Sequence, residues 1–392
     1  MIRIYFKITR IDGFALRMAM FYAAFFAFAG IQLPYLPVWL EAKGLDAGEI
    51  GLVLAAPMLI RVVAMPFAIR LIDRRFVHQT ALTVAAALCA AGYAAMGVAH
   101  GFLAIVAAYA AISMVSSPLL PLADSYGLRG LNARGLPYGP VRLWGSVAFI
   151  FANMAGGVFL TALGAVDLIW LLTAAMAATA AVTLLLPRAP DDTGIASRSK
   201  AIGELWRSRL FVTVVVGASL IQASHAVMYG FATLQWGAKG IDGTTIGVLW
   251  AIGVVAEIVL FAVSRRVITR IGAVNMILLG GFGAMLRWTA MAFDAPVALL
   301  PIVQCLHALS FGATHLGAMH VLARLADRSG GAAAQGDFSA LQGVTLAATM
   351  GLSGILVERF GSYAYAAMLL AAALGFVIVF AGRRAWREVA PA

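Results

Sequence analysis

Charged side chains make up only 11% of the 392 residues, and acids are scarcer than bases, with 17 Asp and Glu against 28 Lys and Arg. So little polar surface excludes a water-soluble domain, because it would not cover the apolar remainder. Cysteine is nearly absent. Cys89 and Cys305 both sit inside apolar runs, which excludes a disulfide framework and a thiolate metal site. The Gly-x-Ser-x-Gly nucleophile elbow, the His-Glu-x-x-His zinc pair and the phosphate loop are missing too. No enzyme chemistry and no cofactor are expected.

What is present is hydrocarbon. The chain is 62% hydrophobic with a mean hydropathy of +0.93. Apolar runs of about 20 residues recur, as a bilayer core roughly 30 Å thick demands. Spans read at 14–39, 48–70, 79–99, 101–123, 138–162, 167–187, 209–236, 244–264, 273–292, 297–322, 338–358 and 362–382. The first run extends past the h-region of a signal peptide and reads as an uncleaved span. The expected fold is an all-α membrane protein of twelve transmembrane helices.

The net charge of +11 is an orientation signal and not a nucleic-acid footprint. Lys43, Lys239 and Arg359 fall on one side of the bilayer, and Arg17, Arg61, Arg142 and Arg287 lie within spans. The remaining basic residues collect on the side of the two tails, so both termini are expected to be cytoplasmic in a bacterial-type inner membrane.

Two stretches repeat half a chain apart: "AKGLDAGEIG" from Ala42 to Gly51 and "AKGIDGTTIG" from Ala238 to Gly247. Each precedes an apolar span. The chain therefore divides into two pseudo-symmetric six-helix halves, 1–187 and 209–392, joined by a polar linker at 188–208. Repeated halves with a site between them near the midplane describe a secondary transporter. The same offset sets Arg61 in the second span opposite Glu257 in the eighth.

Ionisable groups inside the spans are functional candidates because bare burial is unfavourable. They are Arg61, Asp124, Arg142, His225, Glu257, Arg287, His307, His315 and His320. Several have bland alternatives: Asp124 can cap a helix end, Arg287 can snorkel, and His225 can serve packing. Helical spacing assembles polar and aromatic stripes: Phe28, Gln32, Tyr35 and Trp39; Gln222, His225, Tyr229 and Trp236; Trp250, Gly253, Glu257 and Phe261; Gln304, His307, Phe311 and His315; Gln342, Thr345, Thr349 and Ser353. Such faces suit a wet cavity for a small amphipathic solute.

Twelve spans in two halves, with "IRLIDRRFVHQ" after the second, resemble the major facilitator superfamily over essentially the whole chain. "SPLLPLADSYGL", "YGPVRLWGSVAF", "QASHAVMYGF", "GVLWAIGVVAEIVLF" and "VQCLHALSFGATHL" are similar to its phenylpropionate permease branch. More distantly, Asp124 with Arg142 and Arg287 with His307 resemble the lactose-permease pattern. Ser310 stands where that pattern has a carboxylate, and Glu257 lies about a turn from its eighth-span acid. The resemblance implies that the fifth span packs on the eighth and the second on the eleventh. That places Glu257 near Arg142.

The expected function is proton-coupled import of a small aromatic carboxylate, such as 3-phenylpropionate, by alternating access. Arginine keeps its proton, so coupling is assigned to Glu257 with Arg142, Asp124 and His307. A state change that makes and breaks the Glu257 pair would load and release a proton. Arg61 is expected to grip the substrate carboxylate. Gln32, Tyr35, Trp39, His225, Tyr229, Trp250 and Arg287 are expected to complete the binding site. The partners are a small molecule, protons and the bilayer, and the chain is expected to act as a monomer. The alternatives are a sugar or nucleoside symporter, an efflux transporter of the same fold, and a membrane-embedded sensor.

Overall fold

The computed structural model describes residues 12–75, 78–187, 206–329 and 331–387, excepting the side chains of 64–75, 326–333 and 385–387. Most of the expected linker at 188–208 lies outside the described residues. So do the side chains of Asp73, Arg74 and Arg75.

The described residues fold into twelve helical stretches and no strand. Nine are single helices: α1 Gly13–Ala42, α2 Ala47–Arg75, α3 His78–Val98, α5 Tyr138–Leu163, α6 Leu168–Thr183, α8 Gly243–Ile271, α9 Ala273–Ala292, α11 Gly331–Phe360 and α12 Ala364–Arg387. Three are broken, which the apolar periodicity does not announce. Span α4 comprises Phe102–Ser116 and Leu119–Asn132, interrupted at Pro118, which has no amide proton to donate. Span α7 comprises Arg209–Ala223 and Ala226–Ala238. At its break the Ser224 hydroxyl donates to the Ile221 carbonyl at 2.6 Å, and His225 Nδ1 faces the Gln222 carbonyl at 3.1 Å. Side chains thus take over part of the backbone ladder. Span α10 runs through Leu300–Cys305, a π-helical Ala308–Ala313 and Thr314–Ser329.

Local chemistry sets the helix starts. Asp12 accepts from the amides of Phe14 and Ala15 at 2.9 and 3.0 Å, and Asp242 accepts from the amide of Thr245 at 3.0 Å. Asp46 does the same for Glu49 at 2.8 Å. Asp46 and Asp242 hold equivalent places in the two copies of the repeat.

In the first half α1 packs on α5 and α6, and α3 packs on α4 and α6. In the second, α7 packs on α12 and α11, and α9 on α10 and α12. The halves meet through α5 with α8, α2 with α11, and α1 with α7. After twelve crossings both described ends lie on one side of the bundle, termed the terminal side; the opposite side is the far side.

On the far side the halves touch backbone to backbone. A side chain on Gly157 would strike the Gly243 carbonyl, and one on Gly243 would lie 2.5 Å from the Gly157 carbonyl. Gly247 meets the Asn153 carbonyl as closely, at 2.5 Å. The second seam repeats this with Gly354 against the carbonyl of Ala47 and Gly51 against that of Met350. Ala47 and Gly51 in one copy of the repeat correspond to Gly243 and Gly247 in the other. The duplicated stretch therefore encodes both far-side seams.

Toward the terminal side the packing loosens. Buried residues of α8 cease at Gly253, although the helix continues for five more turns. Four of the six buried residues of α5 likewise lie at Ala152, Asn153, Gly156 and Gly157. The halves are closed at the far side and splayed toward the termini.

Candidate functional site

A cavity of about 580 Å³ occupies the splayed region. Its walls are largely aromatic: Phe26, Tyr138, Phe149, Tyr229, Trp250, Phe261 and Phe311. Ionisable groups enter from both halves, with Arg142 from α5 facing Glu257, Arg287 and His307 from α8, α9 and α10. Trp250 is fixed by an indole N–H bond to the Thr233 hydroxyl at 3.0 Å, and Tyr229 stacks on it at 6.3 Å. Gly253 leaves room for His307, whose Cβ lies 3.4 Å from where a Gly253 side chain would begin.

In the first half, the Arg142 guanidinium lies over the Phe26 ring at 3.9 Å from its centroid and over the Tyr22 ring at 5.2 Å. Cation–π contacts of this kind contribute on the order of 0.5–2 kcal/mol. The nearest acid of this half, Asp124, accepts from the hydroxyls of Tyr22 at 2.9 Å and Tyr138 at 2.8 Å. Tyr22 thus stands between cation and carboxylate, its ring beneath one and its hydroxyl on the other. No described carboxylate pairs with Arg142, so the N–H groups along its edge remain available.

In the second half, Arg287 is 1% exposed and surrounded by neutral acceptors. It donates to Gln304 Oε1 at 2.7 Å, His307 Nδ1 at 3.0 Å and the Ser310 hydroxyl at 3.3 Å. The remaining face of His307 meets a carboxylate, with Nε2 at 3.3 Å from Glu257 Oε2. Donor rules fix the tautomer. Arginine has only N–H groups to offer, so Nδ1 must accept and Nε2 must carry the ring proton toward Glu257. His225 is set the opposite way, with Nδ1–H donating to the Gln222 carbonyl and Nε2 accepting from Ser310 at 3.0 Å. Glu257 and Arg287 therefore flank one neutral imidazole, which accepts from the arginine and donates to the carboxyl.

The profile of the MFS_1 like family matches residues 15–379. The chain belongs to that family. It is a secondary transporter of the major facilitator superfamily. It is 32% identical to a probable 3-phenylpropionic acid transporter of Escherichia coli (strain K12), over 89% of this chain and 90% of that protein. It is also 27% identical to a maltose permease of Geobacillus stearothermophilus over 78% of each chain. Among solved structures, the nucleoside transporter NupG superposes with a TM-score of 0.83 at 17% identity, covering 96% of this chain and 99% of that one. At that identity the likeness speaks for the fold alone.

Of the residues singled out in the sequence, the transporter brings Arg142, Tyr229, Trp250, Glu257, Arg287 and His307 to one cavity. The expected contact of Glu257 with Arg142 is replaced by one with His307, because α10 presents an imidazole to the same wall. Arg61 is exposed and outside the cavity wall. Symmetry placed it at the depth of Glu257, but α2 packs on α11, where Val62 meets Gly343. Asp124 lies behind Tyr138, and His225 behind Ser310, so both support the wall without forming it.

The stripe of α1 turns the other way. Gln32 donates to the hydroxyls of Tyr93 and Tyr109 at 2.9 and 2.7 Å, within the first half. Tyr35 is fully buried at the far side and donates to the Asn153 carbonyl at 2.7 Å, and Trp39 is buried beside it beneath Lys43. In α11, Thr349 donates to the Ala223 carbonyl of α7 at 3.1 Å. The helical spacing predicts faces turned to water, but Gln32, Tyr35 and Thr349 bond to side chains or backbone inside the protein, and the Trp39 indole N–H is buried with no partner among the described residues. Residues not anticipated are Phe26, Tyr138, Ser146, Phe149 and the bracing role of Ser310. One signal was available: Phe26 lies one helical turn from Tyr22 on the face that meets α5.

Proposed function

We propose that this transporter imports a small aromatic carboxylate together with a proton. The observation that carries the reading is Arg142, a guanidinium on an aromatic cavity wall, with no described acid paired to it and opposite a carboxylate–imidazole pair. A substrate carboxylate docks on Arg142 through two N–H groups, and its ring lies among Phe26, Tyr229 and Trp250. Arg142 thereby takes the substrate role first assigned to Arg61. Glu257 and His307 carry the proton, since arginine does not release one. The name of the Escherichia coli relative supports this substrate class.

The far-side seams favour a cavity reached from the terminal side. Basic residues gathered there support a cytoplasmic location for both termini in a bacterial inner membrane, so the conformation is the releasing one for import. Alternating access then consists of parting the glycine seams as the splayed ends close.

Similarity to a maltose permease favours a second reading, sugar symport. Counterflow in proteoliposomes separates the two. Vesicles preloaded with 3-phenylpropionate should exchange labelled 3-phenylpropionate and ignore maltose and uridine. Exchange of maltose or uridine with no exchange of 3-phenylpropionate would discard the aromatic-acid reading.

A further inference from the structure

Of the arginines deep within spans, Arg142 rests on aromatic faces and Arg287 bonds to neutral acceptors. Arg61 has neither. It stands at the middle of α2, about 21 Å by helical rise from Ala47 at one end and from Arg75 at the other. That is too deep for its charge to reach an aqueous surface along the helix. Its side chain is nonetheless exposed, and no described residue bonds to it or pairs with it.

The rotation of α2 says what Arg61 is exposed to. Leu52, Leu59 and Val63 form the exposed apolar strip of this helix, the face that suits lipid. Arg61 is two residues from Leu59 and two from Val63, a turn of about 200° each way, so it points away from that strip. Leu54 shares the side of Arg61 two turns earlier. Its Cδ1 lies 3.5 Å from where a side chain on Gly230 would begin, in α7 of the other half. The face of Arg61 is therefore turned into the space between the halves. At Leu54 that space is filled, and two turns nearer the terminal side it is open.

Helix α11 brings a second group to the same level. Val62 Cγ2 lies 2.8 Å from where a side chain on Gly343 would begin, so Arg61 and Gln342 flank one contact of the α2–α11 seam. Thr349 fixes the rotation of α11, since its hydroxyl donates to the Ala223 carbonyl of α7. Gln342 lies two turns from Thr349 on the same face, so it too is turned toward α7 and the space between the halves. It is half-buried, and its amide has no bonded partner among the described residues. A guanidinium and a carboxamide thus offer N–H groups from the two sides of one seam, with nothing described to accept from them. A cation at the middle of a span that faces neither lipid nor a protein acid calls for an anion from the water.

We propose that Arg61 and Gln342 form a second anion subsite, which holds the carboxylate of a second substrate molecule. This rests on the aromatic-carboxylate reading above. A carboxylate suits the pair better than a halide does, because its two oxygens take two N–H groups of the planar fork and keep a lone pair for the amide. Leu54, on the same face of α2, gives the ring an apolar neighbour. Arg142 belongs to α5 and the other seam, so the two subsites lie on opposite flanks and fill separately.

The test uses the purified full-length protein in phospholipid nanodiscs, with labelled 3-phenylpropionate as probe. The wild type should saturate at two molecules per chain. Arg61→Gln should saturate at one, and an unchanged affinity for that one shows that the variant is folded. Gln342→Leu should keep both subsites and weaken one about fivefold, the worth of a hydrogen bond. Arg142→Lys should weaken the other and leave the Arg61 subsite as it was. Saturation at one molecule in both the wild type and Arg61→Gln, with equal affinity, overturns the inference and leaves the substrate reading standing. Absence of 3-phenylpropionate binding to the wild type overturns both. Replacing chloride in the buffer by isethionate distinguishes a carboxylate from a simple ion, and the count should stay at two. A second molecule bound only when chloride is removed would make this a halide site and overturn its assignment to the substrate.

Discussion

The two arginines of the cavity stand on opposite walls and in unlike company. Arg142 lies over an aromatic face, and its acid, Asp124, is fastened by two tyrosine hydroxyls. Arg287 is buried with its two terminal nitrogens bonded to neutral acceptors, and Glu257 reaches it through an imidazole. A ring bridges cation to carboxylate in each half. Tyrosine passes charge through its ring face and its hydroxyl, which keeps its proton at any physiological pH. Imidazole has two nitrogens that exchange roles with one proton. The same charges are thus a fixed docking point on one side and a responsive one on the other.

Substitution can break that contrast, most severely at Arg287. Arg287→Ala strands the Gln304, His307 and Ser310 acceptors in a buried site, each at about 1–3 kcal/mol. Uptake by proteoliposomes should fall by more than a hundredfold. A loss smaller than tenfold would show that the enclosed arginine is not the responsive partner. Next, Arg142→Lys keeps the charge but neither the planar fork nor the stacking, so substrate Kd should rise about tenfold by calorimetry. Unchanged affinity would move the docking point away from α5. A smaller effect is expected from Tyr22→Phe, which removes one of two hydroxyl bonds to Asp124. A bond of about 1 kcal/mol is worth roughly fivefold in affinity. Its pH profile should match that of the wild type, whereas that of Glu257→Gln should not.

An exposed pair on the far side provides the baseline for both. Lys239 donates to Asp294, and this bond first, then the Ser362 hydroxyl, holds the Asp294 carboxyl below its ordinary value. A depressed carboxylate stabilises the fold at neutral pH, and the contribution disappears as pH falls through its folded value, below about 4. Asp294 also has φ 57°, a left-handed conformation that Asn tolerates. Asp294→Asn should therefore lower thermal stability slightly at pH 7, by less than about 1 kcal/mol, and by progressively less as pH falls below about 4. A larger loss would mean that exposure counts for less than the enclosed pair suggests.

The fold was legible because the bilayer imposes span length and the repeat imposes symmetry. The wall of α8 was legible too, since Trp250, Gly253, Glu257 and Phe261 recur at helical spacing and line the cavity together. The same spacing misled in α1. Gln32 finds two tyrosines from α3 and α4, and a sequence does not say which polar groups will satisfy each other. The breaks in α7 and α10 were hidden for a related reason, because Ser224 and His225 exchange backbone bonds for side-chain bonds without changing hydropathy. Pairing of Glu257 with His307 depends on how the π-helical stretch turns α10. That is a matter of fractions of a turn and lies below the resolution of any periodicity.

The glycine seams have a consequence for motion. Contacts between bare backbones act over a very short range, and a gap of 0.5–1 Å already forfeits about a quarter to a half of their attraction. They are therefore either made or lost, with little in between. Because the duplicated stretch lays one seam on each flank, a small rocking of one half releases both together. Nothing sticky remains to hold a half-parted intermediate. The transporter is bistable by shape at its far side, and the choice between its two states is left to the charges in the cavity.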